Sequence, residues 1–103
     1  MLFVDIKSIV LLRSKANNCD ILLDDGTIET ITRNLYKVMS KLNSPAFFQI
    51  NRSTSINTNY LQRVDKKSLR CIIFYNQTTT EEPITRSNMT LFEKIIKFPF
   101  SID

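Results

Sequence analysis

Residues 47–57 read Phe47, Phe48, Gln49, Ile50, Asn51, Arg52, Ser53, Thr54, Ser55, Ile56 and Asn57. Two adjacent aromatics open an apolar-polar alternation, the period-two pattern of a half-buried strand. The alternation then breaks into a polar run from Asn51 to Ser55. A segment with an apolar start and a hydrogen-bonding centre reads as a strand anchored in a core. Its exposed end delivers Asn51, Arg52 and Ser53 to a surface. On composition alone a surface turn with self-satisfied polar groups fits as well.

The residues before this stretch supply a helix and a hairpin. Leu35, Val38, Met39 and Leu42 recur at helical spacing on one face. Thr32 is the expected N-cap, and Asn43, Ser44 and Pro45 end the helix. Asp24, Asp25, Gly26 and Thr27 hold the single glycine of the chain between two apolar runs, a hairpin signal. The flanking strands are expected over 19–23 and 27–31. The unbroken run Ile9, Val10, Leu11, Leu12 predicts a strand over 9–13 buried on both faces. A tight turn precedes it around 5–8, and residues 14–18 read as a loop.

Beyond the stretch, a turn over 58–61 leads to an extended piece over 61–64. A turn over 65–68 and a strand over 69–75 follow. Residues 76–80 read as a polar loop and 81–85 as a short strand, where Pro83 implies a sheet edge. Ser87 is the expected cap of a last helix that buries Leu91, Phe92, Ile95 and Ile96 and stops before Pro99. The fold class is mostly β with two short helices, in a single domain over 1–103.

The chain of 103 residues carries a net charge of +4, which favours an anionic partner, nucleic acid first. An ordinary basic protein fits the same balance. There is no histidine and no paired-cysteine motif, which argues against a zinc site and a Cys-His or Ser-His pair. No glycine-rich phosphate loop occurs. Asp24 and Asp25 are adjacent carboxylates, but a turn wants Asp there for conformational reasons. No enzyme, metal or cofactor is therefore expected. The N-terminal apolar run is too short and too charged to span a membrane and lacks a signal-peptide cleavage pattern. The isolated cysteines suit a reducing, cytoplasmic setting, with Cys71 a buried apolar residue and Cys19 a redox switch only if exposed. Phe47, Phe48, Phe74, Phe92 and Phe98 could form a stacking platform for single strands; their Ile and Leu neighbours make them core instead.

The stretch FFQINRSTSIN, with LQRVD at 61–65 and PITRS at 83–87, resembles the LytTR-type DNA-binding domain of bacterial transcriptional regulators. The resemblance runs from about residue 4 to residue 98. It implies an elongated arrangement of small antiparallel sheets with little helix. DNA would be met by loops at the sheet ends, in successive major grooves of paired direct repeats, with a second copy on the adjacent repeat. Many members carry a receiver domain phosphorylated by a histidine kinase; this chain would be a stand-alone regulator or the effector part of such a response regulator. Neither a membrane nor a small-molecule ligand is implied. Three sites carry over. Asn18 matches the first, although Cys19 and Asp20 depart from it and an acid there repels phosphate. At the second, Arg52 and Ser53 match, while Gln49 stands for the usual Arg and Asn51 for the usual His; Asn51 can pair with an adenine edge. Arg86 matches the third, with a fork suited to guanine, and Ser87 at the helix start suits a phosphate. Lys15, Arg13, Lys7, Arg33 and Lys37 could each hold a phosphate, although a solvated face is the usual place for such charges; Lys15 alone is expected on the DNA side. A protein-interaction module that kept the fold and lost DNA binding is the alternative, favoured by Gln49, Asn51 and Asp20.

Overall fold

The computed structural model describes residues 3–95. Asp5 caps a short 3-10 turn, Ile6–Ser8, that feeds strand β1, Ile9–Lys15. There follow β2 (Asn18–Leu23), β3 (Ile28–Ile31), helix α1 (Leu35–Leu42), β4 (Phe47–Asn51) and β5 (Thr54–Asn57). A second 3-10 turn, Thr58–Tyr60, leads to β6 (Leu61–Asp65), β7 (Arg70–Tyr75), β8 (Thr78–Pro83) and helix α2 (Arg86–Ile95). A five-stranded sheet has the order β3-β2-β1-β5-β4, and a three-stranded sheet the order β6-β7-β8. Every pairing is antiparallel. The molecule is elongated, 40 × 28 × 21 Å.

The large sheet separates two cores. On one face Val10, Leu11, Phe48, Ile50 and Ile56 pack with Val64, Ile73, Met89 and Phe92 from the small sheet and α2. On the other, Ile9, Leu12, Ile21 and Phe47 pack with Leu35 and Val38 of α1. The continuous apolar run of β1 thus feeds both faces, as its pattern required. The register shifts between Ile9 and Leu11. That bulge sends both Val10 and Leu11 to one side. Phe48 and Phe92 meet edge to face, with centroids 5.4 Å apart and planes at 71°, a favoured aromatic geometry.

The opening stretch is a hairpin, not one strand. β4 and β5 pair directly, with Arg52 and Ser53 at the bend. The polar residues after the bend lie inside the sheet: Thr54, Ser55 and Asn57 are buried with Ile56, between β1 and β4. Asn57 donates from Nδ2 to the Ile9 carbonyl at 2.9 Å and accepts the Asn59 amide at 3.0 Å. Its burial is therefore satisfied. Ser55 Oγ is buried without a partner.

Several element ends differ from what local signals predict. Asn34, not Thr32, caps α1, accepting the Lys37 amide at 2.8 Å. Thr85, not Ser87, caps α2, accepting the Asn88 amide at 3.2 Å; in each case a second capping residue lies two positions away. The expected loop 14–18 is a two-residue turn at Ala16 and Asn17, with Ala16 at φ 55. The loop 76–80 is likewise two residues, Asn76 and Gln77 at φ 50 and 59, and β8 begins earlier than expected, at Thr78. Pro83 does sit on an edge strand. Along α2, Met89 and Phe92 are buried while Leu91 and Ile95 are exposed. Phe74 is also exposed, on a strand whose other face takes Ile73 into the core. Ile96, Phe98 and Pro99 lie outside the described residues.

Candidate nucleic-acid interface

Three chain segments meet at one end of the large sheet. Lys15 pairs with Asn18 to close the β1–β2 turn. Arg13 pairs with Thr54, and the Ser14 amide donates to the Ser53 carbonyl at 2.7 Å. That fixes the β4–β5 bend beside the first turn. The third segment is the β8–α2 junction. Its Thr85 amide donates to the Ile50 carbonyl at 3.0 Å, and the Pro83 carbonyl accepts from Asn51 Nδ2 at 2.7 Å. An Arg13–Glu82 ion pair at 2.6 Å ties the same junction to β1. Lys15, Asn18, Arg52, Ser53, Arg86 and Ser87 are thereby gathered at one pole.

The positions differ in what they are free to do. Arg52 is exposed and makes no ion pair among the described residues. Asn51 is committed at both ends of its amide: Oδ1 accepts the Ser53 amide at 2.8 Å while Nδ2 holds Pro83. Gln49 Nε2 in turn donates to the Asn51 carbonyl at 3.0 Å. Between Arg13, Asn51, Arg52, Glu82 and Thr85 lies an open groove of about 620 Å³. Arg86, first residue of α2 and exposed, borders a separate cleft of about 490 Å³ with Lys66, Thr90, Glu93 and Lys94. Ser87 Oγ lies 3.3 Å from Thr85 Oγ1. Asn18 is half-buried at its turn. Asp20 is drawn sideways toward β3, accepting the Thr30 hydroxyl at 2.6 Å. Cys19 is buried; burial raises its thiol above the usual value, so it stays protonated and away from solvent.

The pole holds more cations than the sequence suggested. Cys19 pairs with Ile31, so the end of β3 comes to the same edge. Asn17, Thr32, Arg33, Asn34 and Lys37 share a cleft of about 400 Å³ there. Arg70 pairs with Pro83, which brings the β6–β7 turn, with Lys66 and Lys67, to the same side. Antiparallel register, which one sequence does not display, was the missing signal. The acids at this pole are engaged: Glu82 by Arg13, Glu93 by Lys66 at 3.3 Å, and Asp65 by the amides of Lys67 and Ser68. Those amides hold the Asp65 carboxyl below the usual range. The opposite pole carries Asp5 and Asp24 near Tyr60, whose hydroxyl donates to the Lys7 carbonyl at 2.6 Å, and Asp25 in the adjoining turn. Burial, together with Asp24, raises the Tyr60 phenol. A molecule so polarised presents its basic end to a polyanion. Among the described residues no group of carboxylates or thiols could hold a metal ion. No described helix is long and apolar enough to cross a membrane.

The fold is thus a pair of antiparallel sheets that gathers turns, two helix starts and exposed cations at one end. The chain belongs to the LytTR family: the model of the LytTr DNA-binding domain matches residues 1–97. It is thus a DNA-binding domain of the kind that serves transcription regulation. Among solved structures it is similar to the LytTr DNA-binding domain of a protein from Bacillus cereus described as a methyl-accepting/DNA response regulator. The TM-score is 0.74 at 15% identity, over 92% of this chain and 86% of that one. No curated protein matches the chain.

Proposed function

We propose that the domain binds double-stranded DNA sequence-specifically in the cytoplasm, as the effector part of a transcription regulator, through the basic pole of its large sheet. The observation that carries this reading is the convergence of the β4–β5 bend and the β8–α2 junction at one end. Arg52 and Arg86 stand exposed there while the neighbouring acids are neutralised. Each guanidinium can take guanine O6 and N7 in a major groove. Lys15 supplies a phosphate contact, with Asn18 and Ser53 beside it and Ser87 at the start of α2. Asn51 acts as a positioning residue, since both ends of its amide are already used. Direct repeats would seat two copies in successive major grooves.

The test is selection of bound duplexes from a random pool, followed by titration of the selected site at two salt concentrations. Enrichment of a spaced repeat and a steep salt dependence are expected. Absence of salt-dependent binding even at low salt would sink the reading and favour the protein-interaction module instead.

A further inference from the structure

We infer that Arg33 and Lys37, at the β3–α1 corner, form a second backbone contact that holds a DNA phosphate outside the groove entered by the β4–β5 bend. The inference rests on the DNA-binding reading above and extends it to a part of the surface that no matching motif marks. The argument starts from strand order. From the β4–β5 bend the large sheet steps across β5, β1 and β2 to β3. At about 4.8 Å per step, the β3 end lies roughly 14 Å from the bend. A major groove is about 12 Å wide. A bend seated near the groove centre therefore meets its wall about 6 Å away, between β1 and β2, where Lys15 stands at the turn. The β3–α1 corner falls beyond that wall, over the backbone.

The corner has the chemistry for that place. Arg33 and Lys37 are both exposed, and neither is in an ion pair among the described residues. They share one cleft with Asn17, Thr32 and Asn34, and no acid lines it. Arg33 precedes the cap and Lys37 lies one turn into α1, so the bend and the first helical turn present charge to one spot. The Lys37 backbone amide is already taken by Asn34, which leaves the ammonium as the group that reaches outward. An arginine fork and a point-charge lysine on one cleft suit a single phosphate oxygen pair.

The test uses a labelled mixed-sequence duplex of about three helical turns, because the phosphate contribution is independent of sequence. Binding is titrated across a salt series for the wild type, for the double variant Arg33→Gln/Lys37→Gln, and for Lys7→Gln at the opposite pole. The double variant should lower the slope of log K against log salt by roughly 0.9, the share of one lost phosphate contact. Its thermal melt should stay with the wild type, since both side chains are exposed. Lys7→Gln should leave the slope unchanged. An unchanged slope for the double variant overturns the inference and leaves the DNA-binding reading intact. An equal loss per charge for Lys7→Gln also overturns it, because attraction would then be diffuse. A wild type that binds no duplex overturns both.

Discussion

Asn51 provides the sharpest separation between holding a DNA-binding loop and reading a base. Its Oδ1 satisfies the half-buried Ser53 amide at 2.8 Å, and its Nδ2 reaches across to the Pro83 carbonyl at 2.7 Å. Asn51→Ala removes both bonds. A net hydrogen bond contributes about 1 kcal/mol, and a stranded half-buried donor costs somewhat more. The variant should lose roughly 2 kcal/mol in urea unfolding followed by circular dichroism. Asn51→Asp keeps the acceptor for Ser53 but turns a carboxylate toward the Pro83 carbonyl. That repulsion raises the folded-state pKa of the introduced carboxyl above its unfolded value. Stability relative to wild type should therefore recover as pH falls through that raised value, where the protonated carboxyl can donate to Pro83. Both variants should weaken DNA binding on every sequence by a similar factor, because the β4–β5 bend loses its tie to the β8–α2 junction. Unfolding free energy equal to wild type, with altered preference at one base pair, would refute this reasoning and make Asn51 a base reader.

Arg86→Ala should cost about 1–3 kcal/mol of affinity for the selected site and relax preference at one base pair, measured by competition among single-base variants. Gly26 sits at φ +88, and a Cβ there would meet Asn76 Nδ2 at 3.3 Å; Gly26→Ala should lower stability by roughly 1–2 kcal/mol in thermal unfolding, with base preference unchanged. Burial, aided by Glu82, pushes the Cys71 thiol up to about 12. It is protonated at neutral pH, so labelling by a thiol reagent should proceed at the global unfolding rate and accelerate only near that pH or in denaturant.

Elements built on strong local signals were legible in the sequence. The period of Leu35, Val38, Met39 and Leu42 gave α1, the Asp25–Gly26 turn gave the β2–β3 hairpin, and the run at Ile9 to Leu12 gave a strand buried on both faces. The polar strand β5 was hidden because its burial comes from neighbours in the sheet. Nothing in Thr54, Ser55 or Asn57 reports that β1 and β4 flank them. Ala16 and Gln77 at positive φ disguised two tight turns as loops, since neither is a usual turn residue there. Of the candidate site, the side chains were visible by type and the gathering of Arg33 and Lys37 was not. Sequence spacing places those two on a helix start; only register brings β3 to the pole. Asn51 was legible as special and not as occupied, because its partner Pro83 is 32 positions away.

The most enclosed strand of the large sheet is also its least oily, and this bears on how the chain reaches its fold. Asn57 meets Ile9 across 48 positions, so the apolar β1 is synthesised long before the strand that will cover its open side. An unpaired run of β-branched and aliphatic residues is a template for another chain. A partner strand of Thr54, Ser55 and Asn57 offers foreign edges little apolar surface before it docks. It gains its place through backbone pairing and the Asn57 bond, which only the correct register supplies. Replacing Ser55 by valine would fill that interior with apolar atoms and remove the unpartnered hydroxyl, yet it would take a gatekeeper from the nascent chain.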